Sequence, residues 1–317
     1  MTDKHPKVLV LLAAYNGMQW LEEQVASILR QEGVCVEVWA SVDASDDGTE
    51  AWFDRLALND KRIKLLPHGL RFGAAAPNFF RLIAEVSSED FDFVAFADQD
   101  DIWSAGKLNR AIAMLRQGSC AAYSGDVLAF WPDGREQLIK KSYRQRKWDY
   151  LFEAAGPGCT YVFDVDCFLH LQRFVRDAGN CLDQVTAHDW FCYAFARSAG
   201  YRWHIDSTPL VRYRQHAANH LGANTGRRAF LRRFRLFVEG HWLRQARLIA
   251  ALLGLQHEAF MLPWREPGER RGYLFLAVNC FSLRRRPRDA LLMACMLFMM
   301  ALKPNHRSAL PQGDSGN

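Results

Sequence analysis

A run of five apolar residues that ends in three carboxylates most constrains the fold of this chain. The run spans Phe93–Ala97, and Asp98, Asp100 and Asp101 follow it directly. Such a run is typical of a strand buried on both faces of a parallel sheet. In an open α/β sheet the ligand crevice lies beyond the carboxyl ends of the strands, and acids clustered there repel one another unless a cation neutralises them. The sequence therefore predicts a divalent metal with a phosphorylated ligand at this strand end.

Apolar residues at strand spacing and at helix spacing alternate through the first half of the chain. Strands are predicted over residues 7–14, 34–42, 63–66 and 91–97, and helices over residues 18–31, 50–58 and 77–86. This βαβαβαβ order predicts an α/β fold with a Rossmann-like, mostly parallel sheet and flanking helices. The pattern is more mixed beyond it, with a helix to about residue 116, a single strand over 120–130, and short strands and two helices over 159–213.

Length, charge and cysteine usage bound the class of protein. The chain has 317 residues, half of them hydrophobic, which suffices for an enzyme-sized core. Residues 1–220 hold 24 Lys or Arg against 29 acids, whereas residues 221–303 hold 15 against five. The eight cysteines lack zinc-type spacing, and polar residues 1–7 pass into a strand without the apolar core of an export signal. Reduced thiols in the cytoplasm are expected, and zinc is not indicated.

The last third of the chain is basic and apolar. Five arginines alternate with apolar residues over 227–237 at helical spacing, which predicts a basic amphipathic helix. A second basic block, residues 284–288, adjoins apolar stretches at 273–283 and 290–302, the latter shorter than the about 20 residues of a membrane span.

These two blocks could form an exposed helical cover or adsorb to an anionic membrane. Adsorption is favoured because each block adjoins an apolar segment. A nucleic-acid partner is not expected, since no recognised binding module accompanies the arginines. The expected organisation is a catalytic domain over 1–220, a helical, basic, membrane-proximal extension over 221–303, and a disordered tail over 304–317.

A second acid, Asp43, follows the second predicted strand. Residues 43–54 match the spacing of a calcium-binding EF-hand loop, but a strand rather than a helix precedes them. Ser45 or Asp46 is expected to cap the next helix, whereas Asp43 lies too early for capping. Any single acid near residue 98 could also serve a turn or a cap. Two strands that both end in acid favour a ligand site instead.

The motifs, taken in order, resemble family 2 inverting glycosyltransferases with a GT-A fold, in particular the rhamnosyltransferase-like branch. The resemblance covers about residues 7–220. It rests on six segments: Ala14-Tyr15-Asn16-Gly17; residues 43–49; Asn78-Phe79; Asp98-Gln99-Asp100-Asp101-Ile102-Trp103 with Lys107-Leu108; His188-Asp189-Trp190; and Tyr213-Arg214-Gln215-His216 followed by Asn219. Their common order and spacing make the resemblance specific.

The resemblance implies a donor site that binds a nucleotide-sugar together with Mg²⁺ or Mn²⁺. Asp43 would accept a hydrogen bond from the imide N–H that uracil and thymine share, so a UDP- or dTDP-sugar is expected. Asp100 would ligate the metal, and His216 would complete the metal shell or contact the diphosphate, although a lone His can equally be a buried structural residue. The expected nucleotide-sugar contacts are Ala14, Tyr15 on the base, Asp43, Arg71, Asn78, Asp98 near the ribose and metal, and Gln99.

For catalysis, the resemblance implies that Asp189 is the general base. Inversion by direct displacement needs one carboxylate at the acceptor hydroxyl. His188 and Trp190 would bind the acceptor, although Trp190 could belong to a helix core and Asp189 could be a first-turn helix acid.

The expected reaction is transfer of L-rhamnose from dTDP-L-rhamnose to a surface-polysaccharide or polyprenyl-linked glycan, at the cytoplasmic face of the inner membrane. Rhamnose rests on the resemblance alone. The same chemistry with a UDP-hexose or UDP-N-acetylhexosamine is the first alternative. A nucleotidyltransferase, which would carry a glycine-rich basic loop after the first strand, and a non-catalytic membrane-associated scaffold are the others.

Overall fold

The computed structural model describes residues 5–216 and 240–302. In chain order its strands are β1 Lys7–Ala14, β2 Cys35–Val42, β3 Ile63–Leu65, β4 Phe93–Ala97, β5 Ile102–Trp103, β6 Ala122–Gly125, β7 Val127–Phe130, β8 Glu136–Ile139, β9 Val162–Asp164, β10 Trp203–Asp206 and β11 Val211–Arg214. Its α-helices are α1 Leu21–Leu29, α2 Thr49–Asn59, α3 Ala75–Glu85, α4 Lys107–Gly118, α5 Val165–Ala178, α6 His188–Ser198, α7 His241–Leu252, α8 Arg270–Val278, α9 Cys280–Leu283 and α10 Pro287–Leu302.

The larger sheet has seven strands in the order β10-β6-β9-β4-β1-β2-β3. β1 runs parallel to both β2 and β4, β3 runs parallel to β2, and β10 runs parallel to β6. Of the strands described, β9 alone in this sheet runs antiparallel to its neighbours, β4 and β6. The predicted mostly parallel α/β sheet is thus confirmed. The EF-hand alternative is excluded by β2, because a strand leads into Asp43.

The central strands are apolar because both of their faces are covered. Every residue of β4 and all but the first of β1 are buried. Phe79 of α3 packs on Phe96 of β4, with ring centroids 5.4 Å apart. Burial of one such side chain stabilises the fold by roughly 1.5–3 kcal/mol. The packing of many of them in the core therefore decides the strand order more strongly than the local strand propensity does.

The single strand predicted over 120–130 is in fact two strands that belong to different sheets. The chain breaks at Asp126, whose buried carboxylate accepts hydrogen bonds from the backbone N–H groups of Lys141 (2.6 Å) and Ser142 (2.8 Å). β6 stays in the seven-stranded sheet, and β7 enters a four-stranded sheet of order β5-β11-β7-β8. This second sheet brings the end of β11 beside the residues that follow β4.

The C-terminal helices pack on the rest of the protein. Apolar residues of α7, α8, α9 and α10 belong to the same buried cluster as those of α3, α5 and α6. The basic block at 284–288 does not face solvent as a unit, because Arg285 is only 2% exposed while Arg286 and Arg288 are exposed.

None of the helices in the described part of the chain has both the length and the apolar character needed to cross a bilayer. The basic helix predicted over 227–237 and the tail predicted over 304–317 lie outside the described residues.

Candidate active site

The acids predicted to form a site leave the sheet at one edge. The parallel register aligns Leu12 with Ala97 and Ala14 with Val42, so Tyr15, Asp43 and Asp98 follow strand ends that point the same way. β1 lies between β2 and β4. Asp43 and Asp98 therefore emerge two strand spacings apart, roughly 10 Å. The edge between them is the candidate site.

A side-chain clamp fixes the loop after β1. The backbone N–H of Tyr15 donates to Gln99 Oε1 (2.6 Å), and Gln99 Nε2 donates to the Tyr15 carbonyl (2.8 Å). A Cβ built on Gly17 would lie 2.6 Å from Gln99 Oε1, so the close approach requires glycine. The structure gives Gln99 a positioning role in this loop, and its direct donor contact stays a prediction. The Tyr15 side chain is 47% exposed and can meet a ligand.

The segment after Asp43 folds back on the same loop. Asp47 accepts hydrogen bonds from the backbone N–H groups of Met18 (3.0 Å) and Thr49 (3.0 Å), and Ser45 Oγ accepts one from Asn16 (3.0 Å). The prediction that Ser45 or Asp46 caps the next helix is wrong, because Asp47 takes the N–H of Thr49 at the start of α2. Ser45 and Asp47 thus serve loop geometry.

Asp43 is buried, and it organises a second loop at the edge. Its two carboxylate oxygens accept hydrogen bonds from the backbone N–H groups of Phe72 (2.9 Å) and Gly73 (2.8 Å). A carboxylate oxygen has a further lone pair, so Asp43 keeps capacity to accept an imide N–H. Arg71, on the same loop, is exposed. Asn78 is 2% exposed, and its Nδ2 donates to the Ser41 carbonyl (3.0 Å), so it supports β2. Its contact with the donor stays a prediction.

The carboxylates after β4 lie in a strongly unfavourable field. Burial, and then the charges of Asp100 and Asp189, raise the pKa of Asp98 to about 8. Burial, followed by the charge of Asp100, likewise raises the pKa of Asp101. Burial and mutual repulsion both disfavour the ionised carboxylates, and a bound cation would favour them.

The second sheet delivers a histidine to this cluster. His216 Nε2 lies 2.8 Å from Asp100 Oδ2, although the two residues are 116 positions apart in the chain. The His216 ring stacks on Trp20, with centroids 3.9 Å apart and an interplanar angle of 19°. Arg214, at the end of β11, donates its backbone N–H to Asp101 Oδ1 (3.1 Å). The two residues predicted as metal ligands are therefore neighbours, and Trp20 is a supporting residue that the sequence did not indicate.

The donor set suits a hard divalent cation. Asp100 and His216 offer a carboxylate and an imidazole 2.8 Å apart, and both are ligands that Mg²⁺ and Mn²⁺ accept. Ligand atoms of Asp98, Asp101 and Cys159 lie within 4.8 Å of one another, and within the described part of the chain Asp101 Oδ2 is buried without a hydrogen-bond partner. Burial raises the pKa of the Cys159 thiol well above its usual value, which keeps it protonated beside the carboxylates.

Lys107 lies close to Asp101 and Cys159 of this cluster. Its side chain is buried, with Nζ 3.3 Å from the centroid of the Trp103 ring. Burial lowers its pKa to about 7, against the opposing influence of Cys159 and Asp101. The Lys107-Leu108 motif is thus part of the structural base of the site, a role that sequence spacing could not supply because the contact with Trp103 depends on the turn into α4.

Asp189 stands in the first turn of α6. It is partly buried, and burial raises its pKa to about 6 in spite of the hydrogen bond from the Trp190 N–H (2.7 Å) and the charge of Lys141. Its charge in turn acts on Asp98. Asp189 therefore lies near enough to Asp98 for its charge to affect that carboxyl.

The two residues beside Asp189, which are predicted to bind the acceptor, are buried. The His188 ring stacks on Phe79 with centroids 3.8 Å apart, and burial lowers the His188 pKa to about 3, so it is neutral. Trp190 Nε1 donates to the Tyr150 carbonyl (2.9 Å). His188 and Trp190 form the wall behind Asp189. Gly158, which the sequence did not single out, makes this wall possible, because a Cβ there would lie 2.6 Å from His188 Nε2.

A mostly parallel sheet with a carboxylate-lined edge, covered by helices and joined by a small second sheet, defines a GT-A type α/β fold. The family model for glycosyl transferase family 2 matches residues 9–175. The chain belongs to this family and is a glycosyltransferase, as its motifs predicted.

Relatives of known name extend the comparison over nearly the whole chain. The chain is 37% identical over 289 residues to dTDP-rhamnosyl transferase RfbG of Shigella flexneri, a match that covers 91% of this chain and 99% of the relative. This relative confirms the resemblance to rhamnosyltransferases.

Two further comparisons are more distant. Over 160 residues, 50% of this chain and 60% of the relative, identity is 29% to UDP-Glc:alpha-D-GlcNAc-diphosphoundecaprenol beta-1,3-glucosyltransferase WfgD of Escherichia coli. The structure of S. aureus TarS in complex with UDP-GlcNAc has a TM-score of 0.52 at 14% identity, with 93% of this chain and 89% of that chain covered. That likeness concerns the fold alone.

Proposed function

We propose that this chain is a metal-dependent inverting glycosyltransferase that moves L-rhamnose from dTDP-L-rhamnose to a hydroxyl of a surface-polysaccharide or lipid-linked glycan. The observation that carries the chemistry is the place of Asp189 beside the acids that follow β4. A Cβ built on Gly158 would lie 3.4 Å from Asp189 Cβ, and the ligand atom of the next residue, Cys159, lies within 4.8 Å of those of Asp98 and Asp101. The similarity to a dTDP-rhamnosyl transferase along nearly the full length of both chains supports the donor.

The donor would lie along the edge from Asp43 to Asp100. Tyr15 offers an exposed ring to the base, and Asp43 offers acceptor capacity to an imide N–H. Asp100 and His216 would hold Mg²⁺ or Mn²⁺ near the diphosphate, and Asp98 would face the ribose and the surroundings of the metal. When bound, the cation supplies Lewis-acid stabilisation of the negative charge on the leaving group.

Asp189 would remove the proton from the acceptor hydroxyl as that oxygen attacks the anomeric carbon. A pKa of about 6 suits this task, because the carboxylate is ionised at neutral pH yet basic enough to receive a proton. Direct inversion needs one such carboxylate on the acceptor side, and the cation ligands would lie on the donor side.

Donor identity can be tested by ligand-induced stabilisation. We expect dTDP-L-rhamnose with Mn²⁺ to raise the melting temperature more than UDP-glucose or UDP-N-acetylglucosamine does, because a ligand present at 100 times its Kd adds about 2.7 kcal/mol to the apparent stability. Thermal shift with each donor, with and without chelator, measures this. A larger shift with a UDP-sugar would replace rhamnose by the alternative donor class, which the similarity to a UDP-Glc-dependent relative represents.

The C-terminal helices support a second part of the proposal, peripheral contact with the cytoplasmic face of the inner membrane. One face of α10 is buried through Ala290, Met293, Leu297 and Met300. The opposite face exposes large apolar side chains, namely Leu291, Leu292, Phe298, Met299 and Leu302. The exposed Arg286 and Arg288 flank this face at its start. An apolar helix face with cations at one end fits an anionic lipid surface, where a polyprenyl-linked acceptor would be found.

Vesicle co-sedimentation tests this contact. The full chain should bind vesicles that contain phosphatidylglycerol, and Leu292→Asp with Phe298→Asp should weaken binding about tenfold or more, since both charges would enter the lipid interface. Leu138→Asp on β8 is the matched control, because Leu138 is also half exposed but lies outside α10. Equal binding by the α10 variant and the control would rule out this face as the contact.

A further inference from the structure

A buried charged cluster joins the C-terminal helices to the catalytic part of the chain. Arg285, between α9 and α10, is 2% exposed, and its Nη1 lies 3.2 Å from Asp149 Oδ2. Its backbone N–H donates to Glu153 Oε1 (2.6 Å). The proposed donor and acceptor chemistry uses none of these three residues.

The same carboxylate holds the helix that carries Asp189. Asp149 is fully buried, and it accepts hydrogen bonds from the Tyr193 hydroxyl (3.0 Å) and from Arg197 Nη1 (3.2 Å), both on α6. The Asp149 side chain therefore contacts both Arg285 and helix α6. Buried ion pairs of this kind add little net stability compared with apolar packing, and their clearest contribution is a unique geometry.

A chain of hydrogen bonds continues from this cluster to the backbone of Asp189. Arg285 Nη2 donates to the Ala154 carbonyl (2.5 Å). The next N–H, that of Ala155, donates to the Tyr161 hydroxyl (3.1 Å), which itself donates to the Asp189 carbonyl (3.2 Å). Tyr161 is fully buried, so no solvent competes for its hydroxyl.

We infer that Arg285 is a positioning residue for the general base, acting through the 149–155 segment and the Tyr161 hydroxyl on the backbone of Asp189. The inference rests on the proposed role of Asp189. A reacting group displaced by about 1 Å can lose about 100-fold in rate, so a contact this far from the substrate can govern turnover. The C-terminal helices would then be part of the catalytic apparatus as well as a surface for the membrane.

Two variants test the relay at its two ends. Arg285→Lys keeps the charge but loses the second arm of the guanidinium, and Tyr161→Phe removes only the hydroxyl. Each should lower kcat about tenfold or more, while the KM for the donor and the donor-induced thermal shift stay at wild-type values. The double variant should lose little more than the worse single variant, because both act on one path. Tyr123→Phe is the control, since it too removes a buried hydroxyl bonded to a carboxylate, that of Asp206, and should keep wild-type kcat.

The outcomes separate this inference from the proposed function. Wild-type kcat in folded Tyr161→Phe would overturn the relay, and so would a loss confined to donor KM. If Arg285→Lys does not fold, Tyr161→Phe decides alone. Fully additive losses in the double variant would also count against a single path. Absence of turnover by the wild-type chain with dTDP-L-rhamnose would instead refute the donor proposal.

Discussion

Replacement of Asp189 by Asn is expected to lower kcat by about two to four orders of magnitude, the usual contribution of a general base. The amide cannot accept the acceptor proton, yet it matches the carboxylate in shape and can still accept the hydrogen bond from the Trp190 N–H. Donor binding should therefore remain, and the thermal shift with donor and Mn²⁺ should equal that of the wild type. Steady-state turnover together with that shift measures both effects.

The pH profile supplies an independent check of the same assignment. With a pKa of about 6 in the folded protein, Asp189 is ionised above that pH and protonated below it. Wild-type kcat/KM should thus fall about tenfold per pH unit on the acid side of pH 6, and the residual activity of Asp189→Asn should lack this limb. Turnover in Asp189→Asn at the wild-type level would exclude the base and favour the scaffold alternative.

The sequence could predict features that depend on residues close together in the chain, and it could not predict most contacts between residues far apart in the chain. The apolar run ending at Ala97 indicates a buried strand, and a parallel sheet then fixes the edge at which Asp98 appears. These inferences need only local composition and the rules of sheet topology. The pairing of Asp100 with His216 needed the family motifs, because no local pattern links residues 116 positions apart.

The failures share one physical cause, namely that residue type does not reveal the partner of a side chain. Gln99 is bonded to the backbone of Tyr15, and His188 is stacked on Phe79, and neither partner could be read from the sequence. Arg285 belongs to a block that looked solvent-exposed, yet Asp149 holds it in the interior. The break of the 120–130 strand was equally hidden, since it depends on Asp126 meeting residues 141 and 142.

Asp100→Ala is expected to abolish metal-dependent donor binding, while the ligand-free protein remains at least as stable as the wild type. The two effects have opposite signs because the Asp100 charge raises the pKa of Asp98 and Asp101 when no cation is bound, whereas the same carboxylate would be a ligand for a bound cation. The ligand-free variant should therefore have an unchanged or higher melting temperature than the wild type. Donor with Mn²⁺ should not raise that temperature further.

Asp133→Ala provides the matched control, because Asp133 is an exposed acid of the β7–β8 turn that pairs with Arg135. It should retain the full Mn²⁺-dependent shift. A purely structural role for Asp100 would instead lower the stability of the ligand-free variant, because its partner His216 would lose the 2.8 Å contact, and would leave the metal-dependent shift in place. The metal assignment fails if Asp100→Ala binds donor as tightly with Mn²⁺ as the wild type does, since the Asp100 carboxylate would then not be needed for metal-dependent binding.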